Sequence, residues 1–561
     1  MSIRYLLSRT PKSCLLNNNN NNNIIGGRNN LFVHNNNNKN NNNNRYSTST
    51  TSTSTIIDEN DPSLDYIYSG KGNPYQLVVG VEVHAQIKSK EKLFSNSLNI
   101  GSLDGSIANS RVSYVDAAFP GTLPVLNSKC VEQAVKTGLA LNASISKYSV
   151  FDRKHYFYQD LPQGYQITQY TNPIVKGGEV LLSLKNNRKK LIKLSHIQLE
   201  QDSGKSIHDQ SPTSTLVDLN RAGVGLMEIV SDCDFRSSEQ VGAYLRQLQH
   251  LLKSIETSDA NMQQGEMRCD INISVRPSHQ TDRLGTRVEL KNMISIKSIV
   301  SAIDAEATRQ IEMVESGTPI QRETRGFDLS TMSTFHMRTK EDETDYRFFP
   351  DPDLPPLVLS QAFIERVRAT IGELPDAMKT RIITQYGLTV DDATILVADP
   401  YNVHYFESVL RHNGKTDRSV KTLLPFIIKE MFEWLNLQNE SITNTPVSIE
   451  RMADFIDLVE SGYISSRTGK DIIGLMLNGD TRPAKEIIDG LGVSQISDDS
   501  VLEDLCVKIL EEHHDKIMEY RSGKTRVFKF FVGEIMKQTK GRSNPQKVTS
   551  LLQKKIDEFE L

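Results

Sequence analysis

The chain has 561 residues, with 65 basic and 69 acidic side chains and a formal charge of −4 at pH 7. This length predicts at least two domains with separate cores, and the charge balance excludes nucleic-acid binding through overall positive charge. The five cysteines include no Cys-x-x-Cys pair, which disfavours a disulfide framework and a cysteine zinc site, and no apolar run is long enough to predict a transmembrane helix.

Residues 1–70 are predicted to form a disordered leader. The first 57 residues contain six basic and no acidic side chains, residues 17–44 contain 18 asparagines, and residues 47–55 are all Ser or Thr. Such polar repeats cannot bury enough apolar surface to fold. An acid-free N-terminus with arginines and hydroxyl groups is typical of a mitochondrial transit peptide, which predicts location in the mitochondrial matrix. The alternative is a disordered tail without a targeting role.

Residues 71–365 are predicted to form an α+β domain built on an antiparallel or mixed sheet. Three segments alternate polar and apolar residues, as half-buried strands do: Gln76–Ile87, Arg268–Arg276 and Thr286–Lys291. Helical patterns lie between such segments, at Ser238–Ile255 and at Lys297–Glu315. Because no βαβ spacing repeats, a doubly wound parallel sheet is disfavoured.

The remaining chain is predicted to be all helical, with a connector at 366–410 and a tail at 411–561. Pro375–Tyr386 is predicted as a helix that ends at Gly387. In the tail, Ser500 and Glu503 form a capping-box pattern at the start of a helix that stops near Gly523.

The end of the tail carries an excess of positive charge. A helix is predicted from about Thr525 to Lys540, and Asn544 with Pro545 predicts the start of the next one. Residues 521–561 contain ten basic and four acidic side chains. This excess is compatible with a solvated helical face and with a surface that contacts phosphates, and the charge alone does not separate the two.

Several ionisable side chains lie on the predicted polar faces of the strands. They are Glu82, His84, Glu200, Asp202, Asp270 and Glu289. Residues i and i+2 of a strand share one face, so Glu82 and His84 could reach one hard cation from the same side. Mg²⁺ prefers oxygen ligands and leaves positions for phosphate oxygens. The alternative for any one of these residues is a solvated strand face, but the pattern recurs on several strands.

Basic side chains accompany these acids. Arg153 and Lys154 precede the aromatic run His155–Tyr158, and arginines recur at Arg268, Arg325, Arg338 and Arg347. Arginine can neutralise a transferring phosphoryl group or bind a carboxylate, and it equally often forms surface ion pairs.

Several familiar catalytic motifs are absent. Gly204-Lys205-Ser206 resembles the end of a P-loop, but Leu199 stands where that motif has its first glycine. The sequence contains no H-E-x-x-H motif, no Gly- and Ser-rich amidase segment, and no cysteine with a convincing histidine partner. If the reaction uses ammonia from an amide, another chain must release it.

An ordered series of segments spanning most of residues 75–561 resembles the B-subunits of the glutamyl-tRNA(Gln) (aspartyl/glutamyl-tRNA) amidotransferases, in their organellar form. The segments are VVGVEVHAQIKSKEKLFS (78–95), FDRKHYFYQDLPQGYQITQY (151–170), HIQLEQDSGKSIHD (196–209), TLVDLNRAGVGLMEIVSDCD (215–234), QGEMRCDINISVR (264–276), GTRVELKNM (285–293), QRETRGFD (321–328), DYRFFPDPDLPPL (345–357) and VGEIMKQTKGRSNPQKV (532–548).

The resemblance implies an ATP- and Mg²⁺-dependent carbon–nitrogen ligase that is active in a complex. In that family, ATP phosphorylates the γ-carboxylate of Glu-tRNA(Gln), and ammonia then displaces phosphate to give Gln-tRNA(Gln) for translation in the organelle. The ammonia comes from glutamine in the amidase A-subunit, and a small C-subunit joins the two chains. The resemblance also implies a glutamine synthetase-like catalytic cradle and a helical tail that engages the tRNA.

The resemblance assigns roles to several residues. Catalytic roles are implied for Glu82, His84, Glu289, Asp270 and Lys154, metal binding for Glu82, His84, Glu200 and Glu289, and ATP binding for Arg268, Arg325 and Arg338. Bacterial members carry two glutamates before the aspartate, whereas this chain has Glu200-Gln201-Asp202. Strand alternation places Glu200 on the polar face, and the sequence leaves open whether residue 200 or 201 faces the metal.

Two other functions remain compatible with the sequence. The Gln201 departure and the basic tail would also fit a non-catalytic tRNA-binding scaffold protein. A stand-alone carboxylate–amine ligase that uses free ammonia would need neither RNA nor partner chains.

Overall fold

A computed structural model describes residues 66–69, 71–99, 107–185, 188–208, 213–280, 282–339, 345–438, 440–494, 499–539 and 543–558. The predicted transit peptide and the Asn-, Ser- and Thr-rich segments lie outside the described residues. The predicted leader extends to residue 70, but strand β1 (Tyr66–Tyr68) already pairs with the next strand, so the folded domain includes residues before that boundary.

The described residues form seventeen further strands, of which three are long and the rest short. They are β2 (Pro74–Gln86), β3 (Ser144–Ile145), β4 (Tyr148–Ser149), β5 (Asp152–His155), β6 (Tyr165–Thr168), β7 (Val175–Lys176), β8 (Glu179–Ser183), β9 (Lys189–Gln201), β10 (Lys205–Ile207), β11 (Leu216–Asp218), β12 (Gly225–Ser231), β13 (Met267–Pro277), β14 (Val288–Leu290), β15 (Glu323–Asp328), β16 (Ser333–Thr339), β17 (Phe349–Pro350) and β18 (Leu357–Val358).

The helices cluster in the second half of the chain. They are α1 (Ser128–Ala140), α2 (Ser238–Ser254), α3 (Ile296–Glu315), α4 (Gln361–Arg368), α5 (Pro375–Tyr386), α6 (Val390–Leu396), α7 (Pro400–Arg411), α8 (Val420–Pro425), α9 (Phe432–Gln438), α10 (Ile449–Glu460), α11 (Ser466–Leu477), α12 (Ala484–Leu491), α13 (Asp499–Glu512), α14 (His514–Arg521), α15 (Val527–Gln538) and α16 (Pro545–Glu558). A π-helical turn, Phe426–Met431, joins α8 to α9, and 3-10 turns lie at His412–Gly414 and Ile442–Asn444.

One mixed sheet dominates the first half, which confirms the predicted α+β class. Its order is β16-β15-β14-β13-β2-β12-β9-β7-β3, with β1 also paired to β2 and β8 to β9. The β14–β15 pair is parallel, and the other pairs of this sheet are antiparallel. A smaller sheet, β17-β5-β6, contacts the main sheet through β6 and β9.

The helices α1, α2 and α3 cover one face of the main sheet. The apolar residues of β2 that alternate with its polar ones, Val79, Val81, Val83 and Ala85, are fully or almost fully buried in the core on that side. Asn127, Ser237 and Ser295 each accept a backbone hydrogen bond at the start of one of these helices. The apolar alternation of the strands thus leaves the polar residues on the opposite face.

The helical region contains two cores rather than a connector and a tail. One core joins residues of the segment 382–488, and the other joins residues of the segment 502–556. The predicted division at residue 410 therefore falls inside a packed unit, because Phe406 and Val409 of α7 share the first core with Leu423. The break in packing lies between α12 and α13.

Local helix signals agree with the structure at most ends. Helix α5 ends at Gly387, whose φ of 64° is left-handed, and the Asn544 side chain accepts two backbone hydrogen bonds at the start of α16. The predicted helix from Ser500 to Gly523 is instead divided into α13 and α14, because His513 has non-helical angles (φ −132°, ψ 49°). Within the described part of the chain, no helix combines the length and apolarity needed to cross a membrane.

Candidate active site on the polar face of the sheet

The polar residues of three neighbouring strands, β12, β2 and β13, lie side by side in the main sheet. On β2, His84 pairs with Glu228 of β12 on one side and with Arg268 of β13 on the other. Two residues away along β2, Glu82 pairs with Asp270 of β13. Because side chains alternate along each strand, these groups project from one face of the sheet, opposite α1, α2 and α3.

His84 and Glu228 form a compact group with Glu200, which lies on β9. The Nε2 atom of His84 lies 3.3 Å from a carboxylate oxygen of Glu200 and 3.9 Å from one of Glu228. One ligand atom from each of the three residues lies within 4.8 Å of the other two. The side-chain amide of Gln198 donates to Glu228 at 2.5 Å, and the hydroxyl of Thr168 donates to Glu200 at 3.3 Å. Neighbouring side chains therefore hold both carboxylates in place.

The two carboxylates of this group have opposite pKa shifts. Burial and the nearby charge of Glu200 raise the pKa of Glu228 to about 8. Burial also acts to raise the pKa of Glu200, but the hydrogen bond and charge of His84 outweigh it and lower this pKa to about 2. For His84, burial acts to lower the pKa, but Glu200 and then Glu228 raise it to about 9. At neutral pH the ionised Glu200 thus pairs with the protonated His84, whereas burial and the neighbouring Glu200 charge keep Glu228 protonated.

A second group of acids lies next to it, on β13 and β14. The ammonium of Lys291 donates to Asp270 at 2.6 Å and lies 3.3 Å from Glu289. The hydroxyl of Thr324 also donates to Glu289, and Arg338 donates to that hydroxyl at 3.4 Å. Asp270, Glu289 and Arg338, all predicted site residues, therefore belong to one network.

Glu82 lies between the two groups. It accepts a hydrogen bond of 2.8 Å from the side chain of Asn272, and its charge also contributes to the raised pKa of Glu228. The predicted acids of β2, β13 and β14 thus follow one another across the sheet.

The side chains of residues 200 and 201, between which the sequence left the choice of metal ligand open, have different neighbours. Glu200 faces His84, whereas the amide of Gln201 donates to Gln163 at 2.9 Å. Asp202 accepts a hydrogen bond of 2.6 Å from Arg268. The Gln201 departure from the bacterial pattern therefore lies outside the His84 group.

Lys154 approaches the site from the smaller sheet. Its Nζ atom lies 5.0 Å from the ring centroid of Tyr346 and 6.0 Å from that of Tyr156. Its positive charge acts to lower the pKa of both Glu200 and Glu228, although other groups contribute more to each pKa. Lys154 thus supplies a positive charge at the border of the acidic group.

Arg325 lies on the other face of the sheet, which corrects its predicted place in an ATP-binding site. In the β14–β15 pair, Thr324 is opposite Glu289, and Arg325 is opposite the buried Leu290. The Arg325 guanidinium donates to Glu323 at 2.8 Å and lies 3.4 Å from Glu306 of α3. Strand alternation thus turns Arg325 toward the helices.

Two residues of the site were not predicted. Glu228 lies in the run GLMEIVS, where mostly apolar neighbours hide the alternation, and Lys291 follows the short strand β14. A single carboxylate inside a short apolar strand is the signal that could have identified Glu228, because such a residue needs a buried partner. Lys291 could have been inferred only from its neighbours across the sheet.

The sequence matches two known protein families. Residues 77–365 match the family described as GatB/GatE catalytic domain, and residues 404–556 match the one described as GatB domain. The chain is 60% identical over 504 residues to the mitochondrial glutamyl-tRNA(Gln) amidotransferase B-subunit of Dictyostelium discoideum, with 88% of this chain and 93% of that relative covered.

Bacterial relatives are similar over the same extent. The aspartyl/glutamyl-tRNA(Asn/Gln) amidotransferase B-subunit of Pelagibacter ubique is 47% identical, with 88% of this chain and 99% of that relative covered. The corresponding B-subunit of Rickettsia typhi is 44% identical, with 88% and 100% covered. The mixed sheet with its acidic polar face lies within the residues that match the amidotransferase catalytic domain. The chain belongs to the family of amidotransferase B-subunits.

Proposed function

We propose that this chain is the component of a mitochondrial glutamyl-tRNA(Gln) amidotransferase that activates and amidates the aminoacyl group. The observation that carries the proposal is the buried group of His84, Glu200 and Glu228, which lies beside further acids and cations on one face of the sheet. The proposed location is the mitochondrial matrix, and the proposed partners are an amidase A-subunit, a small C-subunit and Glu-tRNA(Gln).

The reaction needs an activated carboxylate. An oxygen of the glutamyl γ-carboxylate attacks the terminal phosphorus of ATP, and the bond from that phosphorus to ADP breaks. Ammonia then attacks the acyl carbon, loses a proton, and displaces phosphate. The acyl phosphate is sensitive to water, so a partly enclosed site supplied with ammonia by a partner chain suits this chemistry.

The residues of the site fit a hard divalent cation. Glu200 and Glu228 offer the oxygen atoms that Mg²⁺ prefers, His84 offers a nitrogen, and Glu82 and Glu289 extend the set along the sheet. When bound, Mg²⁺ would neutralise charge on the phosphate oxygens during transfer. Lys154 and Arg268 border the same face and can offset phosphate charge from the protein side.

The proposal is tested with His84→Ala and Glu200→Gln in a complex reconstituted with the partner subunits. ATP-dependent formation of Gln-tRNA(Gln) should fall at least about 100-fold, because a cation ligand that offsets phosphate charge is lost. Glu312→Gln, at an exposed position on α3, is the matched control and should keep full activity. Unchanged activity in both site variants would reject the proposed roles.

The structure provides no specific support for the two alternative functions. The scaffold hypothesis was motivated by Gln201 and by the basic tail. The Gln201 side chain contacts Gln163 and lies outside the acidic group, and a basic tail is compatible with an enzyme subunit as well as with a scaffold. A stand-alone ligase would form product without partner chains or RNA, so the same assay with the isolated chain and free ammonia tests it directly.

A further inference from the structure

A continuous series of aromatic rings leads from the acidic site to the surface. It runs Tyr158, Tyr156, Tyr346, Phe348 and Tyr170, and the centroids of successive rings are 5.7, 6.3, 6.0 and 4.1 Å apart. We call these five residues the aromatic series. Two chain segments supply it, and they are held together by the backbone hydrogen bond from His155 to Tyr346 and by the β17–β5 pair.

The inner part of the aromatic series adjoins the reaction site. Tyr156 and Tyr346 flank the ammonium of Lys154, whose charge acts on Glu200 and Glu228. The outer rings reach solvent, since Tyr170 is 64% and Tyr158 is 54% exposed. Tyr170 is stacked on Phe348 with an angle of 10° between the rings. Large exposed rings carry a cost in water and indicate a binding surface when they are clustered.

We propose that the aromatic series binds the single-stranded 3′ end of the aminoacyl-tRNA by stacking of its bases. This inference rests on the proposed function, because the reacting glutamyl group is attached to the terminal nucleotide. When its γ-carboxylate lies at the acidic group, the terminal base can lie no farther away than the glutamyl and ribose units reach, on a surface that borders that group. Aromatic rings bind successive bases without regard to their sequence, as a terminus shared by different tRNAs requires.

The chemistry of this surface favours RNA over a protein partner. Lys154 places a positive charge beside these rings, and so does the largely exposed Arg347, whose guanidinium lies 3.7 Å from the exposed Asp345. Rings combined with cations are the usual elements of a single-strand RNA surface.

The test compares two RNAs and two tyrosines. The full complex, with its partner subunits, is titrated with tRNA(Gln) and with the same tRNA shortened by its unpaired 3′ nucleotides. Tyr170→Ala should weaken binding of the full-length tRNA by about 5- to 150-fold, the factor expected for one lost stacked base, and leave the shortened tRNA unaffected. Tyr170→Trp should bind like the original protein. Tyr401→Ala, at a 50% exposed position on α7, is the matched control and should bind both RNAs normally.

Three results would overturn the inference. They are unchanged binding of full-length tRNA by Tyr170→Ala, an equal loss for both RNAs, and loss of the partner subunits, which would identify the surface as a protein interface. If Tyr170→Ala does not fold, Tyr158→Ala is tested in the same way. Failure of the proposed function is recognised separately, because the unaltered complex would then make no Gln-tRNA(Gln).

Discussion

Two groups of ionisable side chains lie on opposite faces of the main sheet and differ in charge balance. On the helix side, Glu306 and Glu323 contact Arg309 and Arg325, with distances of 2.6 Å from Arg309 to Glu306 and 2.8 Å from Arg325 to Glu323. Glu306 is fully buried. Two carboxylates and two guanidinium groups compensate each other, so no charge of this group is buried without a partner.

The group on the polar face is not balanced in this way. His84, Glu200 and Glu228 combine two carboxylates with one imidazole, and burial together with Glu200 raises the pKa of Glu228 to about 8. A bound cation would offset the negative charge that Glu228 acquires when it loses its proton. In the first group each carboxylate has a guanidinium partner, whereas in the second Glu228 has none and can exchange its proton for a cation.

The largest expected effect on stability is at the balanced group. Glu306→Ala should lower the free energy of unfolding of the sheet domain by about 3–5 kcal/mol, because Arg325 and Arg309 lose a buried partner. Hydrogen exchange in α3 and β15 measures this change. Fluorescence of Trp434, the chain's single tryptophan, reports on the helical region and should stay unchanged. A loss below about 1 kcal/mol would mean that the balanced group contributes little.

At Glu228, in contrast to Glu306, we expect a substitution to lower activity without lowering stability. Glu228→Gln should reduce Gln-tRNA(Gln) formation by about 100- to 1,000-fold and raise the Mg²⁺ concentration needed for half-maximal rate, because a cation ligand is lost. Its stability should be unchanged or higher, since burial disfavours the charged form that the substitution removes. Hydrogen exchange in β12 and the rate assay test the two parts. A Glu228→Gln variant with lower stability and normal activity would show that Glu228 stabilises the fold and does not serve the reaction.

A smaller effect is expected at Lys291, which connects the acids of β13 and β14. Lys291→Met leaves Asp270 and Glu289 close together without their shared cation, so activity should fall about 10- to 150-fold, as expected for the loss of a charged hydrogen bond. Lys291→Arg keeps the charge and should restore part of the rate. Equal rates for the Met and Arg variants would argue that the charge of residue 291 has no role.

The smallest effect is expected where an ion pair is exposed. Lys129 lies 2.6 Å from Glu132 on α1, but the side chains are 49% and 36% exposed. Lys129→Ala should change the free energy of unfolding by less than about 1 kcal/mol, because water and salt screen the pair. Hydrogen exchange in α1 provides the measurement. A larger loss would show that short distance, rather than burial and charge balance, determines the stability that these pairs provide.

Local patterns were sufficient to identify much of the site. The alternation in β2 and β13 predicted that Glu82, His84 and Asp270 lie on polar faces, and the structure places them on one face. Glu289 followed from the same rule on a shorter strand than predicted, Val288–Leu290 instead of Thr286–Lys291. These inferences succeeded because the side-chain direction in a strand depends only on the position within that strand.

Inferences that depended on neighbouring strands were less successful. Arg325 was expected near the phosphates, but it lies opposite Leu290 in the β14–β15 pair, on the face that α3 covers. Glu228 was missed because nothing in its own segment indicates that it lies beside His84. The predicted division of the helices at residue 410 was wrong for a similar reason, since packing between α7 and Leu423 crosses it.

The amino-acid order alone thus determined the α+β class, the helix ends at Gly387 and Asn544, the face of most site residues and the family. The meeting of His84 with Glu200 and Glu228, which lie more than 100 residues further along the chain, depends on the order of β2, β12 and β9 in the sheet. Strand order results from the burial of the whole apolar face against α1, α2 and α3, a collective free energy that no local segment encodes.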